Sequence, residues 1–191
     1  ENLFSQQAEQ PFTFILIARL LKEKGIFEYI QAARLTLEDF PNTNFFLMGI
    51  IDENNPSSLT KNQINDWHNE GVINFLGAQD DVRPFIAQSD CVVLPSYYNE
   101  GTPKCLLEAA SMSRPIITTD WKGCKDTVDH GINGFLCKPK DVKSLYLCFN
   151  QMLGMNKLDI QKFKSSSRKK AKMFDERIVF DKYLVSIEAN L

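Results

Sequence analysis

Cys91-Val-Val-Leu-Pro-Ser-Tyr-Tyr-Asn-Glu100-Gly-Thr-Pro-Lys-Cys-Leu-Leu-Glu108 holds a strand, a loop and the start of a helix in one short stretch. Four consecutive apolar residues stopped by Pro95 read as a strand buried on both faces. In the loop that follows, Gly101 frees the backbone for close approach. Thr102 is the expected N-cap, and Pro103 fits the first helical position, where its missing donor costs nothing. A helix start carries amides without intrahelical acceptors and the positive end of the dipole, both of which favour phosphate or an electronegative sugar oxygen. Glu100 and Glu108 flank this turn, and ionised carboxylates, being acceptor-only, hold hydroxyl donors. The layout suits a sugar carrying phosphate.

The same alternation extends in both directions. Phe12–Ala18 is a β-rich apolar run between Pro11 and Arg19, and after Lys24-Gly25 the residues Ile26, Tyr29, Ile30, Ala33 and Leu37 recur at helical spacing until Pro41. Phe45–Met48 is a second strand. The turn-rich segment Gly49–Ser58 is expected to end in an N-cap for a helix reaching about Glu70, before a third strand over Val72–Leu76. A short helix over Val82–Ala87 precedes the Cys91 strand, and the helix of the opening motif runs over Pro103–Met112. Pro115–Thr119 and Phe135–Cys137 complete the strands, with a helical turn at Asp126–Asp129 and a tight turn at Gly131–Gly134 between them. Helices dominate from about residue 141 to the end. Strands alternating with helices predict an α/β fold, a Rossmann-like parallel sheet of about six strands with helices on both faces. Ligands of such sheets sit beyond the carboxyl ends of the strands. Arg19, Gly49, Gly77, Ser96–Thr102 and Asp120–Gly123 all follow strands and are expected to line one crevice.

With 191 residues and 43% hydrophobic content, one domain over 12–191 is expected, preceded by a leader or tag remnant at 1–11. The formal net charge of −2 gives no global reason to bind nucleic acid. Cys91, Cys105, Cys124, Cys137 and Cys148 form an odd set without a C-x-x-C pair, which reads as free thiols and favours the cytoplasm. His68 and His130 supply no metal-ligand spacing, so no metal and no cofactor is expected. No apolar run approaches the length of a spanning helix.

Several ordered blocks carry a resemblance: Ala18-Arg19-Leu20 with Glu23-Lys24-Gly25, Asn74–Gly77, Ser89-Asp90 leading into Val92–Ser96, Glu100–Pro103 with Leu106–Ala109, and Arg114–Thr118 with Asn133-Gly134. Together they resemble the nucleotide-sugar-binding, C-terminal half of a GT-B glycosyltransferase, specifically glycosyltransferase family 4 (group 1), the retaining group. The resemblance covers about Phe12 to Leu153. It implies that Arg19 and Lys24 clamp the donor diphosphate and act with Glu100 as the catalytic set, Glu100 lying by the sugar ring. Glu108 would hold the ribose hydroxyls. Gly101, Thr102, Pro103, Leu106 and Leu107 would shape the donor site, and Gly77 would lie near the base. It further implies that the N-terminal acceptor domain is absent here, so the chain alone should bind a nucleotide sugar without transferring it. The motif looks most like members that move a hexose or N-acetylhexosamine from UDP to a glycan or lipid-linked acceptor. Gly49-Ile50-Ile51, Ser113 and Asp126 depart from the family pattern, which leaves the donor open.

Each residue also has a plainer reading. Glu108 with Lys104 and Ser111 forms the polar side of the helix, opposite Cys105, Leu106, Leu107, Ala109 and Ala110. Lys24 would pair with Glu28 at helical spacing. The basic run Lys162, Lys164, Arg168, Lys169, Lys170 and Lys172 reads first as a solvated helix face, given Asp159, Asp175 and Glu176 nearby. Its second reading is a peripheral contact with anionic lipid at the cytoplasmic face of a membrane. A UDP-sugar epimerase of the GT-B fold and a non-catalytic nucleotide-binding α/β module are the competing functions. NAD is disfavoured because the turn after the first strand lacks G-x-G-x-x-G.

Overall fold

Side chains alternate along each strand, so the apolar runs divide their residues between two faces of one sheet. The computed structural model describes residues 10–178, 180 and 187. Among these, six parallel strands form, β1 (Phe12–Ile17), β2 (Thr43–Met48), β3 (Asn74–Phe75), β4 (Cys91–Leu94), β5 (Ile116–Thr119) and β6 (Gly134–Cys137). The helices are α1 (Ile26–Asp39), α2 (Lys61–Asn69), α3 (Arg83–Gln88), α4 (Lys104–Ser111), α5 (Val142–Leu153) and α6 (Lys157–Lys172), with 3-10 turns at Lys22–Lys24 and Lys125–Thr127. The strands lie in the order β3-β2-β1-β4-β5-β6. The expected Rossmann-like sheet is therefore present. The expectation for residues 1–9, and part of that for the end of the helical region, fall outside the described residues.

Phe14, Leu16, Phe45, Leu47 and Val93 face α1, α2 and α5 through Tyr29, Trp67 and Phe149. The intervening positions Ile15, Ile17, Val92, Leu94 and Ile116 meet α3 and α4 through Ile86, Leu106 and Ala109. Helices thus cover both faces. Phe14 stacks on Phe45 with ring centroids 5.2 Å apart, and Phe149 lies 4.7 Å from Phe14. Fully burying such a side chain contributes about 1.5–3 kcal/mol. Tyr29 is wholly buried, and its hydroxyl donates to the carbonyls of Phe14 (3.3 Å) and Phe46 (3.1 Å), which removes the cost of an unpaired polar group. At the far end, Ser167 of α6 donates to the Asn133 carbonyl at 3.1 Å, tying α6 to the turn before β6.

Three local expectations need correction. β3 is only two residues long, because Val72 donates its amide to the Trp67 carbonyl and His68 Nδ1 engages the Ile73 carbonyl at 3.2 Å. The end of α2 has captured the backbone groups that a longer strand would use. The cap of α2 is Thr60 rather than a serine: its hydroxyl accepts from the Gln63 amide (3.3 Å) and Gln63 Oε1 accepts from the Thr60 amide (3.0 Å), a reciprocal capping box. Ser57 and Ser58 are engaged elsewhere in the same loop. Finally, Thr102 does not cap α4. Pro103 holds that position with φ −63° and ψ 127°, an extended ψ that keeps it outside the helix, and no side chain caps the end.

The strand order has one consequence for ligand binding. β1 is flanked by β2 on one side and β4 on the other, so successive connections run to opposite sides of β1. The crevice outside the carboxyl ends of β1 and β4 is the topological switch point, where ligands of open α/β sheets bind.

Candidate functional site

The segment after β1 is fixed by backbone bonds to its neighbours before any side chain is considered. Ala18 donates to Met48 (3.1 Å), Leu20 to Ile50 (2.9 Å) and Lys22 to Ser57 (3.0 Å), so the chain runs alongside the loop after β2 and then turns at Lys22–Lys24. The turn closes at Gly25, whose φ is +75°; a Cβ there would stand 2.1 Å from the Pro95 carbonyl oxygen. Only glycine permits both the left-handed backbone and this approach to the segment after β4. From the other side, the Ser96 hydroxyl and the Tyr97 amide both donate to the Glu23 carbonyl, at 3.3 and 2.9 Å.

This packing brings together two of the residues expected to be catalytic. Lys24 Nζ donates to Glu100 Oε1 in a close salt bridge. The lysine side chain is 7% exposed and the glutamate 27%. Lys24 does not pair with Glu28. Its ammonium also lies 5.0 Å from the ring centre of Tyr98, over its face. A cation this deeply placed is tolerated because a carboxylate and a ring quadrupole replace its water. Gly123, with φ +83°, seats the loop after β5 against the backbone of Glu100 and Gly101; a Cβ there would come within 2.4 Å of the Gly101 oxygen.

Beside the ion pair stands the uncapped start of α4. Leu106 and Leu107 both donate to the Pro103 carbonyl, while the amides of Lys104 and Cys105 have no intrahelical acceptor. The Cys105 thiol lies within this charge cluster. Burial pushes it up to about 12, with Lys24 pulling it down and Glu108 and Glu100 raising it, so it stays protonated at neutral pH. Glu108 lies one turn into α4 and is partly exposed, with Lys104 Nζ 3.6 Å from its Oε1. At 90% exposure for the lysine, that pair contributes little and leaves the carboxylate accessible.

The other expected site residues occupy varied places. Arg19 is exposed and stands 3.9 Å from Asp52 on the loop after β2, its ion-pair partner in this structure. Gly77 follows β3 with φ +68°, and its carbonyl accepts from the Gly49 amide at 2.9 Å. Gly101 is exposed, Thr102 half-buried and Pro103 buried. Leu106 is wholly buried in the core beneath α4, and Leu107 is half-buried. Leu106 is therefore a packing residue. Two clefts, of about 630 and 610 Å³, lie elsewhere, one lined by Thr13, Asp90 and Lys164, the other by Phe135, Met155 and Phe163. Neither touches Lys24 or Glu100, which stand at the switch-point crevice beyond β1 and β4. Among the described residues no cluster of three or more His, Cys, Asp or Glu could hold a metal ion, and no helix is long and apolar enough to cross a membrane. In α6, Lys162 pairs with Asp159 and Lys170 with Asp129, while Arg168 donates to the Ser111 carbonyl.

Tyr97 and Tyr98 fall inside Ser96–Thr102, the segment expected to line the crevice, without a role of their own, and Ser57 has no expected role. The two tyrosines sit just before Glu100, and their adjacency to the motif was the available signal. Ser57 had none, because only the folded path of the loop after β2 brings it to Glu23.

The sequence and the fold both recur among known proteins. The chain is 33% identical over 170 residues to the N,N'-diacetylbacillosaminyl-diphospho-undecaprenol alpha-1,3-N-acetylgalactosaminyltransferase of Campylobacter jejuni, an alignment covering 89% of this chain and 43% of that protein. Anabaena Alr3699/HepE, solved in complex with UDP, superposes with a TM-score of 0.78 at 22% identity over 95% of this chain and 50% of its own. The C-terminal domain of a glycosyl transferase group 1 family protein (LpcC) from Francisella tularensis superposes with a TM-score of 0.71 at 20% identity, covering 85% of each chain. The chain thus spans half or less of the length of the first two and most of the third. Residues 1–170 match the profile described as Glycosyl transferases group 1, and this chain belongs to that family.

Proposed function

We propose that this chain is the donor-binding half of a retaining, family 4 glycosyltransferase. It would move a hexose or N-acetylhexosamine from a UDP-sugar to a lipid-linked or polysaccharide acceptor. The observation that carries the reading is the partly buried Lys24–Glu100 ion pair at the β1/β4 switch point, beside the uncapped start of α4. An ammonium and free helix amides together suit a diphosphate. The UDP bound to Anabaena HepE and the acetylgalactosaminyl transfer named for the Campylobacter relative support the same chemistry.

In this reading the diphosphate takes over Lys24 from Glu100, and the released carboxylate accepts from hydroxyls of the donor sugar. Glu108 holds the ribose, and Arg19 leaves Asp52 to meet the phosphates from the solvent side. As the bond between sugar and diphosphate breaks, negative charge grows on the leaving oxygen. Cations fixed beside it stabilise that state more than the bound substrate, which is catalysis. The acceptor site belongs to an N-terminal half not contained in this chain, and the two halves close on the donor.

Calorimetric titration of the 191-residue chain with UDP, GDP, ADP and NAD tests the donor site. UDP should bind and NAD should not. Binding of NAD without binding of UDP would overturn the reading, and multiple turnover of a UDP-sugar by this chain alone would overturn its assignment as one half.

A further inference from the structure

The Lys22–Lys24 turn is gripped further by two side chains that were given no role of their own. Tyr97 donates its hydroxyl to the Lys22 carbonyl at 3.1 Å, in addition to the bond from its amide to Glu23. Lys140, between β6 and α5, places its ammonium 4.6 Å from the ring centre of Tyr97. Its backbone is left-handed, φ +58°, a conformation that non-glycine residues keep only where the surrounding structure imposes it. The Glu23 carboxylate accepts from Ser57 at 2.7 Å and leaves Oε2 buried without a partner; Glu28 at the start of α1 also has a buried, unpartnered Oε2. Lys140 attracts both carboxylates, and both act on Tyr97. One cation therefore sits over a ring that is bonded to the turn, and it attracts the carboxylates of Glu23 within the turn and Glu28 in α1.

We propose that Tyr97 and Lys140 are positioning residues which clasp the Lys22–Lys24 turn from the loops after β4 and β6, and thereby set the Lys24 ammonium for the donor diphosphate. The clasp joins the ends of the adjacent strands β1 and β4 to that of β6, two strands further out. Lys24 extends from the turn so held, and its ammonium reaches Glu100 only while the turn keeps its place. Removing the ring or the cation lets the turn shift, so the ammonium is offered in the wrong position although it is still present. The inference rests on the donor-site reading above, since the effect on ligand is transmitted through Lys24.

The test is a double-mutant cycle on the 191-residue chain, read as the UDP dissociation constant with thermal unfolding measured in parallel. Lys140→Met keeps the stem and removes the charge; Tyr97→Phe keeps the ring under Lys140 and removes the bond to Lys22. Coupled neighbours typically show interaction worth a severalfold change, so Lys140→Met should weaken UDP binding roughly fivefold in the parent chain and less than about twofold in a Lys24→Met background. Tyr97→Phe should follow the same pattern with a smaller loss, and Lys140→Arg should restore binding. Equal losses in both backgrounds would show that Lys140 acts on UDP by another route and would overturn the clasp. So would a Lys140→Met chain that binds UDP like the parent while Lys24→Met does not, a result that leaves the donor site standing. Indifference of UDP binding to Lys24→Met itself would remove both the donor-site reading and the clasp.

Discussion

Lys24 and Glu100 stand 76 residues apart in sequence and share one ion pair across the gap between β1 and β4. The pair is asymmetric, since the cation is almost enclosed and the carboxylate keeps one side open. Removing the anion should therefore hurt folding most. Glu100→Gln strands a buried ammonium and should cost about 2 kcal/mol, less than the 3–5 kcal/mol for breaking a fully buried pair because Glu100 is partly solvated. Lys24→Met with Glu100→Gln should recover part of the loss. Urea denaturation of the parent and these two variants checks the order; a double variant less stable than Glu100→Gln would contradict it.

If the pair divides the donor as proposed, its two members should separate phosphate from sugar in binding. Arg19→Ala and Lys24→Ala should each weaken UDP, by roughly tenfold if each loses one charge-assisted bond. Glu100→Gln frees Lys24, so UDP should bind as well as before or better, while the UDP-sugar loses affinity. Titration of both ligands against each variant is decisive. Equal losses of UDP and UDP-sugar at Glu100 would contradict its place beside the sugar.

Glu28 offers a pH test. Burial raises its carboxyl above the ordinary 4.5, outweighing an opposing pull from Lys140. A carboxyl raised on folding contributes stability below the unfolded value, and that contribution is lost as pH rises through the folded value. Glu28→Gln should therefore raise the melting temperature at neutral pH relative to the parent, and the gain should shrink toward pH 4. A gain independent of pH would mean that the charge is not the cause.

Two glycines of the loops should respond differently to alanine. Gly25→Ala meets both a left-handed φ and the Pro95 carbonyl, whereas Gly77 has a left-handed φ but nothing within 4 Å of a new Cβ. The second change should cost about 1–2 kcal/mol, the usual penalty for a left-handed L-residue, and the first clearly more. Thermal unfolding of the pair checks this. Similar melting temperatures would show that the loop after β4 yields to the clash.

Capping gives a further contrast. Thr60→Ala removes one half of a reciprocal box and should cost about 1 kcal/mol, while Thr102→Ala should leave stability nearly unchanged because Thr102 caps nothing. Comparable losses at both positions would restore Thr102 as a cap.

Much of the fold was legible because its signals are local. Runs such as Phe12–Ile17 and Cys91–Leu94 must be buried on both faces, and the spacing of Ile26, Tyr29, Ile30 and Ala33 makes one apolar stripe; each depends only on near neighbours. The extent of β3 was not legible, since the bonds that shorten it come from the end of α2. Nor was the α4 cap, since Thr102 and Pro103 both fit a helix start and only the path of the preceding loop chooses between them.

For the site, the chain's own order of residues determined the Glu100–Glu108 motif, the positions of Lys24, Glu100 and Glu108 after or within their elements, and the sheet edge to which they belong. Tertiary structure alone decided who meets whom. It gave Lys24 to Glu100 rather than to Glu28, turned Arg19 to Asp52, and set Lys140 over Tyr97. The physical reason is range: secondary structure follows from contacts a few residues away, whereas these partnerships require the β3-β2-β1-β4-β5-β6 order and the close approach that Gly25 and Gly123 permit.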